Sequence, residues 1–266
     1  NLKKGIEFLE QQFGVKWDWD AFWKNAEMYN ESSRCMIEKW DVNCTEHPQV
    51  CGAALALQRE YEFMAAACMD KFMLKTDRRV TKMMLKGYEQ DKAANAPQPK
   101  YRCLVWACPA HYYTNFTYWT QHCWGVTCVN DMEAMLSYQP ITIGDKEQAL
   151  ADLVRCYEKM MMRSHTNGGY VNLLDECWKM CEKFHTNIVI MYDHVSCKNV
   201  GGLHGLFEDQ ARERGIHLIW IPHDVMDPRT VSRREMREAF SQYMVTVLNE
   251  KPLDPTLLDY EDTLSW

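Results

Sequence analysis

No apolar run in these 266 residues approaches the roughly 20 that a membrane helix needs. No long Lys/Arg block stands out either, in a chain of net charge −7. The first absence excludes a spanning helix; the second argues against nucleic acid as a partner. No secretory leader is visible, so the chain reads as cytoplasmic. The Asn-X-Ser/Thr triplets at Asn30, Asn43 and Asn115 then carry no consequence. A dinucleotide fingerprint and a P-loop are both missing, since Asn199-Val200-Gly201-Gly202 matches neither. Internal repeats are absent too. Cys103–Cys108 and Cys123–Cys128 lack zinc-ribbon spacing.

What is present is a chain that is 47% hydrophobic, enough for a real core and incompatible with a disordered protein. Its twelve cysteines are scattered. A chain of this size needs no disulfide staples, so buried or metal-bound thiols in a reducing compartment are expected.

The periodicity divides the chain. Residues 1–92 read as a helical segment. Asp18 and Asp20 are placed to cap a helix running to Trp40, His47-Pro48 starts a second through Leu55 and Met64, and Asp77 to Gln90 is a third. Residues 93–100, with Pro97 and Pro99, form a linker. Residues 101–250 alternate apolar runs with amphipathic stretches. The runs 102–107, 125–129, 187–193 and 216–222 are predicted strands. The predicted helices are Thr114 to His122, Asp145 to Met162, Tyr170 to Phe184, Leu203 to Arg214 and Ser232 to Asn249. Ser164 to Gly169 reads as a loop, and 251–266 as an irregular tail. The expected fold class is α/β: a helical N-terminal segment, then an open, mostly parallel sheet flanked by helices.

Ligands of such sheets bind at the carboxyl ends of the strands. The first strand ends in Cys108 and His111, the second near Cys128, the third in His194 and Cys197, and the fourth in His223. Cys197, followed by Lys198, stands before a helix N-terminus, where thiolate, the metal-binding form, is favoured. Cys108 and Cys128 are geometric candidates for the same metal. His111, His194, Lys198 and Arg229 are candidate substrate-binding groups, and the glycine pairs 201–202 and 168–169 are either anion sites or turns. Arg229, Arg233 and Arg234 flank a helix start, where they meet an anionic partner or carboxylates such as Glu235 and Glu238, or are ordinary solvated surface charges. Cys177 and Cys181 are expected in the core. A zinc enzyme using His111, His194 or His223 is a further reading of these ends.

The segment His194-Val195-Ser196-Cys197-Lys198 after an apolar strand is followed by GLFEDQARERGI and HDVMDPRTVSRREMR. Together they resemble subunits of the 2-hydroxyacyl-CoA dehydratase and benzoyl-CoA reductase family. The ending EKPLDPTLLDYEDTLSW and the region 1–45, with Phe13 to Asp20 and a helix to Trp40, are similar to such subunits as well. The resemblance implies an oxygen-sensitive 4Fe-4S protein acting on an acyl-CoA or aryl-CoA. It implies a related subunit in a hetero-oligomer and an ATP-hydrolysing activator that delivers one electron. In the dehydratases that electron makes a ketyl radical, which expels the hydroxyl; in the reductases electrons pass into an aromatic ring. One residue carries over: Cys197, as a cluster ligand. Family subunits also have an earlier α/β domain that supplies further cysteines, and residues 1–92 do not resemble it. The chain thus resembles the later two-thirds of a subunit. It is truncated, or another chain supplies the rest, or it is a non-catalytic scaffold subunit that has lost the cluster.

Overall fold

The computed structural model describes residues 1–50, 54, 71–132, 139–158 and 169–259. Three helices come first among these: α1 (Leu2–Phe13), α2 (Trp19–Asn43) and α3 (Lys71–Ala93). Asp18 caps α2, its carboxylate accepting the Ala21 N–H at 2.9 Å. The stretch from Leu55 to Met64 read as a helix lies outside the described residues. The helix read from Asp77 to Gln90 is longer than the sequence suggests: the chain is already helical at Lys71, and the helix runs on to Ala93.

Helix α2 buries a stripe that includes Ala26, Cys35, Met36, Trp40 and Val42. One member of that stripe is Lys39, with no exposed surface. Its ammonium pairs with Asp77 of α3, itself 1% exposed, and the Ser32 hydroxyl donates to the same carboxylate. A buried charge of this kind is tolerated only when paired and hydrogen-bonded.

The sheet contains β1 (Tyr101–Trp106), β2 (Val126–Asp131), β3 (Ile188–His194) and β4 (His217–His223). All pairings are parallel, in the order β2-β1-β3-β4. The expected α/β class is therefore the observed one. β1 and β3 are buried along most of their length because helices cover both faces. The flanking helices are α4 (Phe116–Trp124), α5 (Lys146–Glu158), α6 (Gly169–Phe184), the single turn α7 (Lys198–Gly201), α8 (His204–Arg214) and α9 (Arg233–Thr246). Gly125 turns α4 into β2 with φ 70°, and a Cβ there would come within 3.1 Å of Leu253. Ser232 and Glu235 form a capping box at the start of α9.

Strand alternation sorts the core. Tyr192 and His223 meet on one face, where Phe116 and Phe240 pack. Trp220 lies on the other, against Phe207 of α8. Cys177 and Cys181 are buried, as expected. The helical segment joins this core through Met36 and Trp40. Arg102 of β1 fastens its end, donating to the carbonyls of Thr45 (2.7 Å) and Asn43 (2.6 Å). The described part of the tail, residues 251–259, is mostly irregular but anchored: Leu253 N–H donates to Cys123 O at 2.7 Å, and Trp119 Nε1 to Leu257 O at 2.9 Å.

Candidate functional site

From β1 the chain moves outward to β2, then returns across β1 to place β3 on its other side. The strand order reverses between β1 and β3, and a crevice opens at their carboxyl ends in such sheets. The residues leaving β1, β3 and β4 therefore set the chemistry of this rim.

β3 ends at His194, whose register partner is His223 at the end of β4. The two rings lie 5.4 Å apart, edge to face. His194 Nδ1 accepts the Ser196 backbone N–H at 3.1 Å and lies 2.9 Å from its hydroxyl. His223 is fully buried, with its ring against the backbone of Cys108 and Asp193. Burial, seconded by His194, lowers its pKa to about 4, although hydrogen bonding to the backbone at Cys108 and Asp193 opposes the shift. His223 is thus a neutral imidazole at neutral pH, held at the base of the rim. The sequence placed it at a strand end but did not show its burial.

Cys197 is the N-cap of α7, directly after the β3 exit. It is half-buried and packs partly on the core. Lys198 opens the same helical turn and is exposed. Cys108 leaves β1 after Ala107, and its Sγ lies 3.7 Å from His111 Nε2. The His111 N–H donates to Val225 O at 2.8 Å, tying the loop after β1 to the loop after β4. On the opposite side of the sheet, Asp193 Oδ2 lies 3.2 Å from His204 Nε2, and the His204 ring stacks on Trp220 at 3.5 Å. Sequence reasoning missed this pair, because nothing local links residues 193, 204 and 220.

Two candidates stand apart from the rim. Cys128 is not at a strand end: it lies inside β2, fully buried beside Cys103, with its thiol directed to Asn130 O at 3.3 Å. The alternation of the strand turns it into the core. Arg229 is exposed and bidentate on Asp227, at 2.6 to 3.1 Å, and this pairing holds the Asp227 carboxyl down at about 2. The neighbouring arginines also find partners within the chain: Arg234 pairs with Glu238 at 2.9 Å, and Arg233 donates to Tyr112 O. A cavity of about 630 Å³, lined in part by Trp178, Cys181, His185 and Arg214, lies at the other end of β3 and β4, away from these groups.

A 4Fe-4S cluster takes about four ligands, chiefly thiolates. Among the described residues no three His, Cys, Asp or Glu side chains converge for a metal ion. These residues alone do not make a complete cluster site. Among the described residues no helix is long and apolar enough to cross a membrane.

Compared with known families, residues 1–244 match the family model described as 2-hydroxyglutaryl-CoA dehydratase, D-component. No curated protein matches the chain.

Proposed function

The chain belongs to the 2-hydroxyglutaryl-CoA dehydratase D-component family, and from that premise we propose that it is a subunit of a radical-type 2-hydroxyacyl-CoA dehydratase. The observation that carries this reading is the family match together with the position of Cys197, a half-buried thiol at the carboxyl end of a central strand. The enzyme's 4Fe-4S cluster takes Cys197 as this chain's ligand. The remaining ligands come from a related subunit or from residues outside the described set. An ATP-hydrolysing activator supplies the electron.

The chain's own residues bind and orient the acyl-CoA. Lys198, exposed on the turn that Cys197 caps, suits an anionic group of the substrate. It is better suited than Arg229, whose guanidinium is already bidentate on Asp227. His194 and His111 face the acyl end, and the buried, neutral His223 keeps the floor beneath them free of charge. The ligand set, incomplete among the described residues, leaves one second reading, a non-catalytic scaffold subunit whose thiols bind no iron.

The test is an anaerobic assay of the complex co-purified with its partner component, with activator, ATP and 2-hydroxyglutaryl-CoA. The proposal expects ATP-dependent formation of the enoyl-CoA. An iron-loaded complex that forms no enoyl-CoA but reduces benzoyl-CoA would transfer the chain to the aryl-CoA reductases. An iron-free complex assembled around this chain would establish the scaffold reading.

A further inference from the structure

We propose that Cys108 and His111 form a thiol–imidazole pair that accepts an acyl group from a CoA thioester. The substrate class rests on the function proposed above; the pair itself rests on the loop after β1.

β1 ends at Trp106, and the next residue, Ala107, has φ 67°. A non-glycine residue in the left-handed region is strained, and such strain clusters at functional sites. Here it turns the chain sharply so that Cys108 leaves the sheet at the crevice. Pro109 stiffens the next step. His111 then opens a one-turn helix, with its N–H anchored on Val225 O. Both ends of the loop are thus fixed, which sets the 3.7 Å between Sγ and Nε2. That is a loose version of nucleophile–base reach, and such contacts tighten when substrate binds.

Accessibility separates Cys108 from most other thiols. Cys103, Cys123, Cys128 and Cys177 have no exposed surface, whereas Cys108 and His111 are both partly exposed. A second observation comes from β4. His223 is fully buried beside the backbone of Cys108, to which its ring hydrogen-bonds. That contact gives the turn carrying Cys108 a second anchor beside the one at Val225.

The reaction is a thioester exchange. His111 takes the Cys108 proton, and the thiolate attacks the thioester carbonyl carbon. The carbonyl carbon–sulfur bond to CoA breaks as the new bond to Sγ forms. CoA leaves with the electron pair and receives the proton back from His111. Thioester replaces thioester, so no oxidant or reductant is needed.

The experiment uses the full chain in its co-purified complex and 2-hydroxyglutaryl-CoA labelled in the acyl group, with binding followed separately by equilibrium dialysis. Wild type should acquire acid-stable, hydroxylamine-labile label that peptide mapping places on Cys108. Cys108→Ala should lose it. His111→Gln should slow labelling about 100-fold at pH 7, the usual order for loss of a general base. It should also move the pH profile of Cys108 alkylation by iodoacetamide upward, a readout that needs no substrate and that a merely structural histidine would leave unchanged. Binding without label, or equal label on Cys108→Ala, overturns the acyl-transfer proposal and leaves the dehydratase reading standing. Neither binding nor label overturns both.

Discussion

Replacing Asp77 by alanine isolates what joins α2 to α3. Asp77 is 1% exposed, and its carboxylate holds the Lys39 ammonium, which has no exposed surface, and the Ser32 hydroxyl. Removing it strands a buried charge, which costs about 3–5 kcal/mol. The orphaned hydroxyl adds about 1 kcal/mol. Relaxation and water entry offset part of this, so a net loss of about 4 kcal/mol is expected. The double variant Lys39→Met/Asp77→Leu removes both charges and should lie within about 1–2 kcal/mol of wild type, because an apolar pair can replace a buried ion pair at little cost. Urea unfolding, followed by tryptophan fluorescence and extrapolated linearly, measures both. An Asp77→Ala loss below about 1 kcal/mol, or a double variant as unstable as the single one, would show that no uncompensated buried charge is left behind.

Other outcomes follow from the same structure. Burial holds the folded His223 pKa at about 4, against 6.5 ordinarily. The unfolded chain therefore binds a proton that the folded chain refuses between those values. Stability should be full above pH 6.5 and fall by roughly 2–3 kcal/mol, after allowance for screening, as pH drops toward 4. His223→Phe should flatten that slope in denaturant titrations across the range. Ser232→Ala breaks the capping box of α9 and should cost about 1 kcal/mol, read as a lower Tm. Cys177→Ser and Cys181→Ser should each cost roughly 1–3 kcal/mol and leave the iron content of the complex unchanged.

Much of the fold was legible because the strands are buried on both faces. Continuous apolar runs mark such strands, and the four predicted runs differ from the observed strands by no more than a residue or two at either end. The class followed from their alternation with amphipathic helices. Strand order did not, because it is decided by long-range packing, and it is the order that puts the exits of β1 and β3 side by side. Cys128 shows the limit of reading strand ends. Extending β2 to Asp131 leaves Cys128 in mid-strand and turns it into the core. His223 and the Asp193–His204 pair depend on neighbours distant in sequence, so their partners were invisible. The Lys39–Asp77 pair did leave a signal. Lys39 falls three residues after Met36 and four after Cys35, on the apolar stripe of α2, and a charge there demands a buried partner. The arginines around α9 resolved as intramolecular pairs because carboxylates and a carbonyl stood within reach.

On the proposed function, this chain serves a cluster-bearing dehydratase through Cys197. The most direct measurement is iron per chain in the anaerobically co-purified complex, wild type against Cys197→Ser. Oxygen is a poorer ligand than thiolate for iron in such clusters, and the swap removes little volume. Cys197→Ser should lose the cluster iron and its visible absorption while the complex still assembles. Wild-type iron in the Cys197→Ser complex would contradict this role of Cys197.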